Sequence, residues 1–154
     1  MTYYVFIENE KINGTGQCKP LNKDILNIEV NEEIYNNIEK YIYQDGEIIL
    51  DPDYEAKQAQ AERERIGKLS LTRGDVFRGL LQAKGVTRLQ LRAMIETNPQ
   101  LTEVQKEMAL IDFDEALNFY RGNALIDTVG LALGITPEQL DKFFETNDYT
   151  NLLA

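Results

Sequence analysis

Tyr41-Ile42-Tyr43-Gln44-Asp45-Gly46-Glu47-Ile48-Ile49-Leu50-Asp51-Pro52 is the stretch on which the chain changes from one kind of structure to another. Its first ten residues are two β-branched and aromatic runs on either side of Asp45-Gly46. That pair supplies the positive-φ residues of a tight primed turn, so the run predicts a β-hairpin. Asp51 then stands as a helix cap, and Pro52 at the first helical position, where its missing N–H costs nothing. From Asp53 to about Lys68 the residues are polar on every side, with Ala56, Ala59, Ala61 and Ile66 almost the only apolar ones. A helix polar all round is a solvated connector or a weak self-association seam.

Upstream of the hairpin the pattern is strand and turn. Tyr3-Tyr4-Val5-Phe6-Ile7 is an aromatic and β-branched run closed by the polar turn Glu8-Asn9-Glu10. Lys11 to Cys18 returns as a second strand loosened by Gly14 and Gly16, and Asn27-Ile28-Glu29-Val30 alternates as a half-buried strand does. Asn31 caps a short helix to about Lys40, with Glu32 and Glu33 in its first turn.

Downstream, everything after Leu71 predicts helix. Thr72, Thr87, Thr102, Asn123 and Thr136 are the caps, and Gly85, Gly122 and Gly134 the stops. The helix from Glu103 is expected to run to Arg121, with Val104, Met108, Ile111, Phe113, Leu117 and Tyr120 as its apolar residues. Gly85-Val86-Thr87-Arg88-Leu89-Gln90-Leu91 is echoed by Gly134-Ile135-Thr136-Pro137-Glu138-Gln139-Leu140. In each, glycine takes the left-handed position after a helix, and Thr with Gln forms a capping box for the next. The second corner fits helix-turn-helix spacing, but its exposed helix shows Glu138, Asp141 and Glu145 against Lys142. Beside phosphates that face would be repelled, so a packing corner is the expectation rather than a DNA reader.

Composition removes whole classes of function. The 154 residues include no His, no Trp and one Cys, with 16 Lys plus Arg against 26 Asp plus Glu, a net charge of −10. Without His there is no Ser-His-Asp or Cys-His unit, no HExxH zinc site and no imidazole base. The single Cys18 allows neither a disulfide framework nor a Cys-rich metal site. A net negative charge opposes binding to nucleic acid or an acidic membrane face. No apolar run approaches the ~18 residues that span a bilayer. The opening residues lack the basic and apolar regions of a signal peptide, so a cytoplasmic setting is expected.

The charge is uneven. Residues 1–67 carry 7 basic and 14 acidic side chains, residues 68–92 carry 6 and 1, and residues 93–154 carry 3 and 11. The central basic stretch either faces the acidic C-terminal helices internally or steers a partner, a second copy of the chain included. Arg73, Arg78, Arg88 and Arg92 are its candidate contact residues. No pattern predicts a catalytic, metal or cofactor site. Asp112, Asp114 and Glu115 read as a solvated face, with Asp112 and Glu115 on one side and Asp114 elsewhere. Gly14 and Gly16 lack the third glycine and the helix of a dinucleotide site.

The order Val30-Asn31-Glu32-Glu33-Ile34-Tyr35, Asp45-Gly46-Glu47-Ile48-Ile49, then Asp51-Pro52 before a charged helix, is similar to that of phage tail fibre assembly proteins and related prophage proteins encoded beside tail fibre genes. The likeness covers the first 66 residues. Leu71-Thr72-Arg73-Gly74-Asp75-Val76-Phe77 and Phe119-Tyr120-Arg121-Gly122-Asn123 look like segments of uncharacterised prophage tail-associated proteins. The better-known fibre chaperones have a simpler C-terminal part. The resemblance implies a non-enzymatic chaperone or accessory protein that binds a tail fibre or another tail protein, in the host cytoplasm or on the virion. An acidic inhibitor of a host nuclease, of the anti-CRISPR or nucleic-acid-mimic type, is the alternative.

The sequence thus predicts an α+β chain: a small antiparallel β-rich module over residues 1–52, a polar connecting helix over 53–70, and a bundle of about five helices over 71–154. Tyr3, Tyr4, Phe6, Tyr41 and Tyr43 are the candidate partner-binding aromatics, although the same residues also suit a plain core.

Overall fold

In a computed structural model describing residues 1–22 and 25–153, alternation along β1 (Tyr3–Glu8) sets the first layer. Tyr3, Val5 and Ile7 point to one face and Tyr4 and Phe6 to the other, as the two-residue period of a strand requires. Val5 and Ile7 are the buried pair of this region. β1 is the centre of an antiparallel sheet, flanked by β2 (Lys11–Gly16) and β3 (Leu26–Val30). The β1–β2 turn uses Asn9 and Glu10 at φ 51° and 60°, and the register slips by one residue between Phe6 and Ile7, leaving a bulge.

Asn31 caps α1 (Glu32–Asn36), its side chain accepting from Ile34 N at 2.8 Å. A 3-10 turn at Ile38–Lys40 leads into the hairpin of β4 (Tyr41–Gln44) and β5 (Glu47–Leu50). Its corner residues Asp45 and Gly46 have φ 52° and 92°, the primed-turn geometry their sequence asks for. Asp51 accepts from Asp53 N at 2.9 Å and from Lys57 Nζ at 2.7 Å. The connecting helix α2 (Tyr54–Gly67) therefore starts two residues beyond Pro52, and it buries none of its side chains. The chain divides into two compact units, residues 1–60 and 61–154.

The second unit holds five helices: α3 (Arg73–Lys84), α4 (Arg88–Glu96), α5 (Glu103–Glu115), α6 (Ala124–Ala132) and α7 (Pro137–Thr146). Thr87, Thr102 and Thr136 each form a complete capping box with the Gln three residues on. Gly85 and Gly134 stand at φ 68° and 67° after α3 and α6. The fold is α+β, with antiparallel strands at the N-terminus and a helical C-terminal region.

One expectation fails. The helix from Glu103 does not reach Arg121; it stops at Glu115. Ala116 leaves the helix at φ −62° and ψ 133°. Asn118–Tyr120 is strand β7, paired antiparallel with β6 (Ser70–Thr72). The ladder is prolonged at both ends, by Arg73 N to Leu117 O at 2.9 Å, Arg121 N to Leu69 O at 2.8 Å and Gly122 N to Gly67 O at 3.1 Å. Residues 117, 119, 121 and 122 thus bond to backbone far away in sequence, which replaces helical bonds they give up. Gly122 serves the approach of two backbones, because a Cβ there would lie 3.0 Å from Gly67 O.

Helix α7 closes the core. Phe143 and Leu140 are buried, and each lies over a glycine of another helix. A Cβ on Gly79 of α3 would come within 2.5 Å of Phe143 Cζ, and one on Gly130 of α6 within 2.6 Å of Leu140 Cδ1. The two contacts differ in tolerance. Phe143 is a buried rigid ring, whereas Leu140 meets Gly130 with the end of a side chain that can turn. Gly79→Ala should therefore destabilise the unit by about 1–3 kcal/mol through overpacking, despite the roughly 1 kcal/mol by which alanine favours a helix. Gly130→Ala should cost less. Urea unfolding followed by far-UV circular dichroism measures both.

Candidate interaction surface

The basic stretch folds back on one acidic residue. Thr72 caps α3, which places Arg73 at its first position. The Arg73 guanidinium donates to the main-chain carbonyl of Asp114, in the last turn of α5. From α4, Arg88 Nη2 meets Asp114 Oδ1 at 2.9 Å, and Arg92 Nη1 meets Oδ2. Arg88 also lies over the rings of Phe77 and Phe113, 5.7 Å from each centroid. Three cations thus gather where the α5 dipole is negative and its carbonyls lack helical partners. The hydrogen bond from Arg92, then that from Arg88, holds the Asp114 carboxyl below the usual carboxylate range. Asp114 points away from Asp112 and Glu115, and it is an anchor rather than a part of a solvated face. Arg78 stands apart, paired with Asp75 of its own helix at 2.6 Å.

Arg121 shows the same economy. It is a buried guanidinium that reaches Asp127 at 2.7 Å and Asp141 at 2.6 Å. It ties the end of β7 to α6 and α7.

The N-terminal aromatics do not share one face. Tyr3 is on the side of Val5 and stacks on Tyr35 of α1, with centroids 4.6 Å apart. Tyr4 is on the opposite side, where Lys19 Nζ lies 5.5 Å from its ring. Phe6, beside Tyr4, lies over Gly14 and Gly16, covering the bare backbone of β2. Tyr41 and Tyr43 lie on one face of the hairpin, opposite Leu50 and Ile48. All five are half-buried. The outer edges of β2 and β3 carry no further strand among the described residues.

Helix α5 carries a bare apolar stripe along its length. Its inward side presents Ala109, Leu110 and Phe113 to the core. Its outward side presents Val104, Met108 and Ile111, which are 70%, 63% and 54% exposed. These three are spaced i, i+4, i+7 and fall within about 60° of one another around the helix, opposite Phe113. Beside the stripe, a depression of about 210 Å³ between α5 and α6 includes Met108 and Thr128. A second, of about 510 Å³, continues past Thr128 to Met94 and Leu131, between α6 and the end of α4. Leu131 is 78% exposed. Glu107, Asp112 and Glu115 flank the stripe and make no ion pair among the described residues. The sequence shows apolar residues on both sides of this helix, and which side is left over is set by where the core lies.

Among the described residues, no group of His, Cys, Asp and Glu is placed to hold a metal ion, and no helix is long and apolar enough to cross a membrane. No protein-family model, curated protein or solved structure matches this chain.

Asp114 supports α4 through its carboxylate only while ionised, whereas the bond from Arg73 of α3 is to its main-chain carbonyl and does not depend on ionisation. Its carboxyl is depressed in the folded chain, so its contribution is present above its unfolded pKa of about 3.9 and is lost as pH falls through the lower folded value. Asp114→Asn should lower the urea midpoint at neutral pH and flatten the loss of stability below about pH 4. A urea series from neutral to acid pH measures both effects.

Proposed function

We propose that this chain is a non-enzymatic assembly or accessory protein of a phage or prophage tail, acting through protein–protein contacts. The observation that carries the reading is the stripe of Val104, Met108 and Ile111. Its three side chains are more than half exposed on a helix whose other side already fills the core. Apolar surface left over in this way is spent on a partner. The absence of His from the sequence supports a role outside acid–base or nucleophilic chemistry. The tail assignment itself rests on the likeness of the first 66 residues to fibre assembly proteins, and it names a tail fibre or another tail protein as the partner. Host cytoplasm or virion is the corresponding location.

The unpaired carboxylates of Glu107, Asp112 and Glu115 favour a second reading, an acidic inhibitor of a host nuclease. Co-expression with the fibre protein encoded beside it separates the two. A tail role predicts more assembled, soluble fibre with the chain than without it. Equal yields, together with salt-sensitive capture of a basic host nuclease from lysate, would favour the inhibitor.

A further inference from the structure

We infer that the outward face of α5 and the trough beside it receive a basic amphipathic helix of the partner protein, a deepening that rests on the protein-contact reading. Shape comes first. A stripe of i, i+4, i+7 residues is about 10 Å long and one helix face wide. The trough continues from it along α6 to Leu131 and Met94. Such a surface accepts the apolar side of another helix laid into it, and the unbranched methionines Met94 and Met108 adapt to what they meet.

Charge then selects the partner. Glu107, Asp112 and Glu115 border the stripe and make no ion pair among the described residues. Lys106, the only basic residue of α5, is on the inward half and is bound to Glu103 at 2.8 Å. A second copy of the same face would set carboxylates against carboxylates in either direction. A head-to-tail copy would have to bring up cations other than Arg73, Arg88 and Arg92, which already hold Asp114. An incoming helix with Lys or Arg along the edges of its apolar side satisfies both the shape and the charge.

The full chain is titrated by fluorescence anisotropy against three labelled synthetic helices of about five turns. One is a Leu/Lys amphipathic peptide, one its Leu/Glu counterpart, and one the Leu/Lys composition shuffled to remove the apolar side. Only the first should bind, less tightly as salt is raised. Substituting Val104→Ser, Met108→Ser and Ile111→Ser together should weaken it at least about tenfold with the circular dichroism spectrum unchanged. Glu107→Lys, Asp112→Lys and Glu115→Lys together should abolish Leu/Lys binding and admit Leu/Glu. Equal affinity for the shuffled peptide, for Leu/Glu, or in the triple-serine chain would overturn the inference. So would a concentration-dependent dimer in sedimentation that the serine substitutions dissolve, since it assigns the face to a second copy. Loss of peptide binding with fibre assembly intact leaves the tail role standing; peptide binding without any effect on fibre assembly removes the tail role alone.

Discussion

The helical unit depends on a ladder of three residue pairs. Ser70–Thr72 against Asn118–Tyr120 joins the start of the unit to its middle. Everything near it follows from that pairing. It ends α5 at Glu115, because residues beyond it bond sideways rather than along a helix. It directs Phe119 into the core and brings Arg121 to Asp127 and Asp141. It also sets Arg73, whose N–H closes the ladder, beside the last turn of α5, where its guanidinium finds the Asp114 carbonyl. Two backbones can come this close at the far end because Gly122 has no side chain.

Charge is used inwardly and outwardly in different ways. The basic stretch of residues 68–92 is a source of internal cohesion: three of its arginines converge on Asp114 and one on Asp75. Ion pairs with exposed partners contribute little singly, but several guanidiniums sharing one carboxylate and one helix end form a network. Glu107, Asp112 and Glu115 remain outside without an ion pair among the described residues. A net charge of −10 is therefore less diffuse than the count suggests, since much of the positive charge is committed and three of the unpaired carboxylates border one apolar face.

Local chemistry was readable, and long-range pairing was not. The Asp45-Gly46 turn and the Thr–Gln boxes at Thr87, Thr102 and Thr136 are fixed by neighbours within a few residues, so they stand where the sequence places them. β7 was hidden. Phe113, Leu117 and Tyr120 keep a helical spacing beyond the true helix end, and a three-residue strand is too short to show a period of two. Its pairing with Ser70–Thr72 depends on residues almost fifty positions away. The bare stripe was hidden differently: Val104, Met108, Ile111 and Phe113 are all apolar, and only the position of the core says which side of the helix is left over. The aromatic run Tyr3-Tyr4-Phe6 was legible as a strand, while its division between two faces follows from alternation.

The three capping boxes have one further property. Each is made of Thr and Gln, so the reciprocal bonds of the box itself involve no group that gains or loses a proton between neutral and acid pH. At α7 alone an ionisable partner joins, Glu138, whose carboxyl is held below its usual range by its own backbone N–H and then by the Thr136 hydroxyl. The groups that fasten helix to helix, Asp114 and its arginines, do depend on ionisation. Acid thus loosens the Asp114 joint while the Thr–Gln boxes keep their own bonds. On acidification the near-ultraviolet signal of the aromatics should therefore fade before the far-ultraviolet signal of the backbone.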